Sequence, residues 1–193
     1  MTSYHGWMIQ TGPPRQHLPA PLIRDAERRD FEPVAAIYAH HVLHGLATFE
    51  EVPPPPDELR ARWAAIARLG LPYLVATRGE QIVGYAYASA YRPRAAYRYT
   101  VEDSVYVADN CRGLGVGSAL LAALIARCEA GPWRQMLAVI GDSANAASLA
   151  LHRRLGFTLT GTFTSVGFKF GRWVDTVLMQ RPLGAGDRDQ PQP

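Results

Sequence analysis

A glycine-rich turn at residues 112–117, Arg-Gly-Leu-Gly-Val-Gly, has the clearest potential for chemistry in this chain. Glycines allow the backbone to approach a ligand closely and leave several N–H groups pointing outward. A strand pattern precedes the turn and a helical pattern follows it, so these N–H groups add to the positive end of a helix dipole. The segment therefore predicts a phosphate-binding turn, with a positive charge from Arg112 and a hydroxyl from Ser118 nearby.

Four interpretations of this turn have to be weighed. A nucleoside triphosphate loop requires Lys and then Ser or Thr after the glycines, and no Lys follows them here. A dinucleotide fingerprint requires its third glycine one residue later than Gly117, and it normally follows the first strand of a parallel unit. Acyl-CoA is the remaining phosphorylated ligand, and a glycine turn without any ligand stays open on these residues alone.

The turn has to be held by the elements around it, whose order follows from hydrophobic spacing. Helices are expected near residues 31–42, 57–69, 120–128 and 146–155. Strands are expected near residues 23–24, 73–78, 81–90, 99–107, 135–140, 157–170 and 173–180. Asp30 is expected to cap the first helix. This order predicts an α/β (α+β) fold with a mixed, mostly antiparallel central sheet and helices on both of its faces.

The length of 193 residues favours a single domain with its own core. The first 22 residues contain four prolines and lack a periodic apolar pattern, and the last dozen are rich in Gly, Asp, Gln and Pro. We therefore expect a flexible extension at 1–22, one folded domain at 23–181 and a disordered tail at 182–193.

Charge and composition argue against several classes of partner. The formal net charge of +3 comes from scattered residues, whereas a nucleic-acid-binding protein more often has a dense basic stripe. No segment reaches the roughly 18 apolar residues of a membrane span, and we find no signal peptide. The two cysteines, Cys111 and Cys128, form neither a metal spacing nor a disulfide framework, which predicts reduced thiols in a cytoplasmic protein.

A metal site is the one cofactor hypothesis that the histidines raise. His40 and His44 are four residues apart, a spacing that can bind zinc on one helix face. The required Glu is missing from that motif, and the sequence offers no third ligand. We therefore expect no metal.

Several motifs resemble the GNAT superfamily of N-acetyltransferases. Arg112, Gly115 and Gly117 resemble its CoA pyrophosphate motif, and Asn145, Ser148 and the ending Leu-Gly-Phe at 155–157 resemble its second cofactor segment. Longer stretches resemble one branch, the phosphinothricin and methionine sulfoximine acetyltransferases. These stretches are IYAHHV at 37–42, ATFEE at 47–51, RPRAAYR at 92–98, TVEDSVYV at 100–107 and GFKFGRWVD at 167–175.

The resemblance implies acetyl-CoA as cosubstrate and a small-molecule amine as acceptor. It also implies a homodimer, which is usual in this branch. The expected cofactor-binding residues are Val105, Val107, Arg112, Gly113, Gly115, Val116, Gly117, Ser118, Asn145 and Ser148.

Acetylation of an amine requires a base, because a free amino group is mostly protonated at neutral pH. Glu102 lies on the strand before the turn, at the position that this branch assigns to the general base. The alternative is a strand carboxylate paired with an arginine such as Arg98. Asp103 is a weaker candidate base than Glu102. Glu102 shares a strand face with Ser104, while Asp103 and Val107 belong to the other face.

Two further catalytic roles follow from the resemblance. The backbone N–H of Val107 is the expected donor to the oxyanion. His152 is expected to protonate the leaving CoA thiolate, or else to be a solvent-exposed helix histidine.

An amino-acid-like substrate carries a carboxylate, which an arginine can bind through two hydrogen bonds. Arg94 and Arg98 are the expected partners, although arginine-rich loops are often simply solvated. Phe49, Glu50 and Lys169 are expected to line the same pocket. Two alternatives remain: a GNAT enzyme that acetylates a protein N-terminus, lysine, polyamine or antibiotic, and a CoA-binding module without catalysis.

Overall fold

The computed structural model describes residues 19–191, so most of the predicted extension, residues 1–18, lies outside the described part of the chain. The helices are α1 (Phe31–His44), α2 (Pro56–Arg68), α3 (Val116–Glu129) and α4 (Ala146–Arg154). The strands are β1 (Leu22–Asp25), β2 (Tyr73–Arg78), β3 (Gln81–Ala90), β4 (Thr100–Val107), β5 (Gln135–Gly141), β6 (Thr158–Lys169) and β7 (Arg172–Pro182).

The strands form one seven-stranded sheet in the order β1-β2-β3-β4-β5-β7-β6. Neighbours are antiparallel except β4 and β5, which are parallel because helix α3 carries the chain back across the sheet. The prediction of an α/β (α+β) fold with a mixed, mostly antiparallel sheet is confirmed.

Two hydrophobic clusters cover the two faces of the sheet. Phe31 and Val34 of α1 pack with Tyr73, Val75 and other strand residues on one face. On the opposite face, a second cluster packs α3 against the alternate strand residues, among them Leu74, Ala76, Leu120, Leu121 and Met136. This alternation along β2 places helices on both faces, as the strand period of two requires.

Gly84 of β3 lets α3 approach the sheet closely. A Cβ atom at this position would lie 2.9 Å from the Tyr106 carbonyl oxygen and 3.1 Å from Cγ1 of Val116, the first residue of α3. The absence of a side chain therefore fixes where α3 begins relative to the end of β4.

The ends of the domain and the first cap differ from the sequence predictions. Strand β1 begins at Leu22 and β7 ends at Pro182, and Leu183 is fully buried, so the folded part extends beyond 23–181 at both ends. Asp30 does not cap α1 through its side chain. Instead, its carboxylate accepts hydrogen bonds from Arg24 at 2.6 and 2.8 Å, because an arginine fork is the stronger partner. Among residues 19–191, no helix has the length and apolar character needed to cross a membrane.

Candidate active site

A cavity of about 940 Å³ opens where β4 and β5 separate. The two strands pair from Thr100–Gln135 to Asp103–Ala138, and β4 then continues to Val107 without pairing to β5. Side chains of α1 line one side of the cavity and residues of α3 and α4 line the other. Because these helices lie on opposite faces, the cavity runs through the sheet.

The backbone of β4 offers hydrogen-bonding groups to this gap. The N–H of Ala108 donates to the Val83 carbonyl, so the Gly84–Val107 and Ala86–Val105 pairs fall at the positions that exchange no hydrogen bonds with β3. The N–H and C=O groups of Val105 and Val107 therefore point toward the opening between the strands. This is the orientation that the predicted oxyanion donor, Val107 N–H, requires.

His41 of α1 holds the end of β4 in place. Its Nε2 lies 3.0 Å from the Val107 carbonyl oxygen, which can only accept, so Nε2 donates. Burial lowers the pKa of His41, which favours the neutral ring. His41 had no predicted role at this site, because the contact joins residues that are far apart in the chain.

The glycine turn forms one end of the cavity. Gly113 and Gly115 have φ angles of 73° and 81°, in the left-handed region that favours glycine. Gly115 precedes α3 and no side chain caps the helix, so the N–H groups of the first turn are available to a ligand. The ten predicted cofactor-binding residues all line this cavity: Val105, Val107, Arg112, Gly113, Gly115, Val116, Gly117, Ser118, Asn145 and Ser148.

Helix α4 and its cap place Asn145 and His152 at the cavity wall. Asn145 caps the helix, because its side-chain oxygen accepts a hydrogen bond of 3.2 Å from the Ser148 N–H. His152 is only 4% exposed, so the alternative of a solvated helix histidine is wrong. Its Nε2 lies 3.1 Å from Oδ2 of Asp103, the residue that the sequence placed second as a base.

Glu102 occupies the other face of β4, beside Ser89 and close to Tyr87 of β3. Burial raises the pKa of Glu102, and the neighbouring Asp103 raises it further, as expected for a base that works near neutral pH. Among the described residues Glu102 forms no ion pair, and Arg98 instead donates to the Ala95 carbonyl. The alternative of a Glu102–Arg98 pair is therefore not what the structure contains.

The predicted substrate-binding residues do not all lie at one place in the structure. Glu50 accepts hydrogen bonds from Tyr38 at 3.0 Å and from Arg62 at 2.6 Å, which ties the α1–α2 loop to both helices. The Phe49 ring lies against the backbone at Gly167, where a Cβ atom would be 2.4 Å from it. Arg94 and Arg98 are exposed on the loop that leads into β4 and do not line the cavity.

Lys169, which was expected to line the substrate pocket, is buried and does not line the cavity. It is 1% exposed, and its ammonium donates to the carbonyls of Gly45 at 3.0 Å and Thr48 at 2.8 Å. Burial lowers the pKa of this lysine. The side chain therefore ties the α1–α2 loop to β6.

The fold and the cavity together are those of an acyltransferase with a cavity between two diverging strands. Residues 22–157 match the Acetyltransferase (GNAT) family. The chain belongs to this family and is an N-acetyltransferase. The predicted family and fold are confirmed.

Individual relatives narrow the branch. The chain is 59% identical over 170 residues to phosphinothricin N-acetyltransferase of Alcaligenes faecalis, covering 88% of this chain and 86% of that protein. It is 45% identical over 162 residues to L-methionine sulfoximine/L-methionine sulfone acetyltransferase of Pseudomonas aeruginosa, covering 83% and 94%. A crystal structure of a phosphinothricin acetyltransferase from Sinorhizobium meliloti in complex with AcCoA superposes with a TM-score of 0.87 at 48% identity, covering 90% of this chain and 94% of that one. The predicted branch is confirmed as well.

Replacing Lys169 by Met should loosen the α1–α2 loop. The substitution keeps the apolar stem but leaves two loop carbonyls without their donor, so the free energy of unfolding should fall by about 2 kcal/mol. Urea unfolding followed by circular dichroism measures this change. Arg68→Met, at the exposed end of α2, is the matched loss of one positive charge and should change stability by less than about 0.5 kcal/mol. Equal effects of the two substitutions would contradict the loop-holding role.

Proposed function

We propose that this protein transfers the acetyl group of acetyl-CoA to the amine of a small amino-acid-like substrate of the phosphinothricin or methionine sulfoximine type. The observation that carries the proposal is the opening between β4 and β5, which has the glycine turn at one end. Glu102 lies on the opposite face of β4, outside the residues that line the cavity. This arrangement supports an acceptor amine and a thioester that meet through the sheet from opposite faces.

The residues that line the cavity fit the cosubstrate. The uncapped start of α3 and the two left-handed glycines suit a pyrophosphate. The outward-facing backbone groups of Val105 and Val107 suit the amides of a pantetheine arm. When bound, acetyl-CoA supplies an activated acyl group as a thioester. The same fit favours acetyl-CoA over a nucleoside triphosphate, because no lysine follows the glycines.

Proton movements define the roles of the catalytic candidates. An ammonium substrate loses two protons as its nitrogen–carbon bond forms and the carbon–sulfur bond breaks. Glu102 accepts a proton from the nitrogen, directly or through one water, and releases it to solvent. The second nitrogen proton also passes to solvent. The departing sulfur takes one proton, which we assign to His152, and solvent returns a proton to His152 afterwards. Val107 N–H stabilises the negative charge on the carbonyl oxygen.

The acceptor is proposed from charge and from the relatives. Arg94 and Arg98 supply positive charge on the loop that leads into the strand of Glu102, which suits the carboxylate or phosphinyl group of such a substrate. Phe49 and Glu50 lie on the α1–α2 loop, and Glu50 reaches Tyr38, whose ring meets Tyr106 of β4 at 5.1 Å. The named relatives act on substrates of this type, which favours a small acidic amine.

A thiol-release assay tests the function directly. Purified protein and acetyl-CoA are incubated with phosphinothricin, methionine sulfoximine, methionine sulfone, ordinary amino acids, a polyamine and a peptide with a free N-terminus. Release of CoA should depend on the first three compounds. Turnover with the peptide or the polyamine alone would favour an acetyltransferase with a different acceptor. CoA binding without any turnover would favour a non-catalytic binding module.

Glu102→Gln should lower kcat about 100-fold or more and leave acetyl-CoA binding unchanged, because an amide cannot accept the proton. In the parent enzyme, kcat/KM should fall as the pH drops through the raised pKa of Glu102, since the base works only when ionised. Glu80→Gln, in the exposed β2–β3 turn, is the matched control and should keep full activity. Near-full activity of Glu102→Gln would remove the base from this residue.

A homodimer in the cytoplasm completes the proposal. The described Cys111 and Cys128 are unpaired and buried, which suits a reducing compartment. Strand β6 is one of the two edge strands of the sheet, and the β6–β7 hairpin exposes a group of large apolar side chains. These are Leu159, Phe163, Val166, Phe168, Phe170 and Trp173. An exposed apolar edge of this extent is typical of a surface that a second copy covers.

Phe168→Asp should convert the dimer to a monomer, because a charge would be buried against the apolar partner surface. Size-exclusion chromatography with light scattering measures the mass at micromolar concentration. Leu69→Asp introduces the same charge at a residue of similar exposure after α2, and it should remain dimeric. A monomeric parent protein would rule out this interface.

A further inference from the structure

The Asp103–His152 pair is a buried ionisable pair that faces the cavity. Asp103 is the last residue of β4 to pair with β5, and His152 reaches the same point from α4. The Asp103 carboxylate and the His152 ring are only 2% and 5% exposed, and both residues line the cavity. The pair therefore sits at the inner end of the opening, where the two strands begin to diverge.

The hydrogen-bond acceptors around the His152 ring determine how many protons the Asp103–His152 pair holds. Nδ1 of His152 lies 2.7 Å from the Ser148 carbonyl oxygen, which can only accept, so Nδ1 carries a hydrogen. Nε2 faces a carboxylate oxygen at 3.1 Å. Without a hydrogen between them, two lone pairs would oppose each other and a carboxylate would be buried without a counter-charge. The geometry thus requires one further proton, shared by Nε2 and Asp103.

Asp103 has little else to satisfy it. Among the described residues, its second oxygen, Oδ1, is buried without a hydrogen-bond partner. A buried acid that is only half satisfied costs stability, and well-packed apolar residues would serve the fold better. This cost points to a functional reason for the carboxylate.

We infer that Asp103 is a positioning residue that fixes the His152 ring and keeps a proton on the pair at the inner end of the cavity. The inference rests on the proposed function and deepens it, because it explains how His152 can supply a proton to the departing sulfur. The charge balance agrees: the sulfur gains one proton, and the pair loses the one that it shares. Solvent restores that proton between turnovers.

Within residues 19–191, no other positively charged group forms an ion pair with Asp103. Burial tends to lower the pKa of His152, but the hydrogen bond and charge of Asp103 outweigh it, and the net pKa is raised. On α3, burial and Asp103 raise the pKa of the Cys128 thiol to about 12, so that group is neutral. Glu102 is the adjacent carboxylate, and it projects from the opposite face of β4. His41 is bound to Val107 at the other end of the opening.

Histidine NMR tests the proton count without any cosubstrate. In ¹⁵N-labelled parent protein at pH 7, the His152 ring should show two protonated nitrogens, with the assignment taken from a His152→Gln variant. Asp103→Asn keeps the shape of the pair and removes its charge. The pKa of His152 in this variant should fall by more than about one pH unit, leaving a neutral ring at pH 7. Glu102→Gln changes the adjacent carboxylate on the other face, and it should leave the two protonated nitrogens in place.

The acetyl-transfer assay supplies the second readout. In Asp103→Asn, the fall of kcat on the alkaline side should move to lower pH, and kcat at pH 8 should drop about tenfold or more, while KM for acetyl-CoA stays the same. A neutral His152 in an active parent enzyme would overturn the inference and leave the proposed function standing. Doubly protonated His152 in a protein without acetyl transfer would support the proton count and reject the proposed function. Asp103→Asn could also have a neutral His152 while its kcat falls at the same alkaline pH as in the parent enzyme. That result would overturn the link between the pair and acetyl transfer.

Discussion

The separation of β4 from β5 is the constraint on which the rest of the structure depends. A strand inside a sheet normally satisfies its backbone groups on both sides, and β4 gives up one side after Asp103. The groups of Val105 and Val107 then require other partners. His41 provides one of them, and the bound cosubstrate is suited to provide the others. We propose that an extended ligand completes the ladder that the fold leaves open.

Strand β4 uses its alternation to divide the chemistry between two faces. Glu102 and Asp103 are adjacent in sequence, yet their side chains enter different environments. Glu102 lies on the face of α1 and α2 without an ion pair to any residue of 19–191, and burial there raises its pKa. Asp103 stands opposite a histidine on the face of α3 and α4. One residue step therefore separates the proposed general base from the carboxylate that we infer to retain a proton.

Much of this organisation could be predicted from the sequence, because it depends on local patterns. The strands 73–78 and 81–90 match the structure at both ends, since runs rich in β-branched and aromatic residues flank a Gly-Glu turn. The glycine turn likewise led to the residues that line the cavity. Contacts between distant elements could not be predicted in this way. The burial of Lys169, the Arg24 partner of Asp30 and the pairing of His152 with Asp103 all depend on how the strands are ordered in the sheet.

The position of Lys169 has a chemical consequence for an enzyme that handles a reactive thioester. It is the only lysine in the chain, and its ammonium is enclosed by loop carbonyls. Acyl thioesters modify accessible amines without a catalyst, and the amine must be unprotonated and exposed to react. Of the 20 lysine and arginine residues, all the others are arginines, whose guanidinium groups stay protonated and are not nucleophilic at neutral pH. The protein can therefore bring thioester and amine together at high local concentration while offering no lysine side chain of its own as an acceptor.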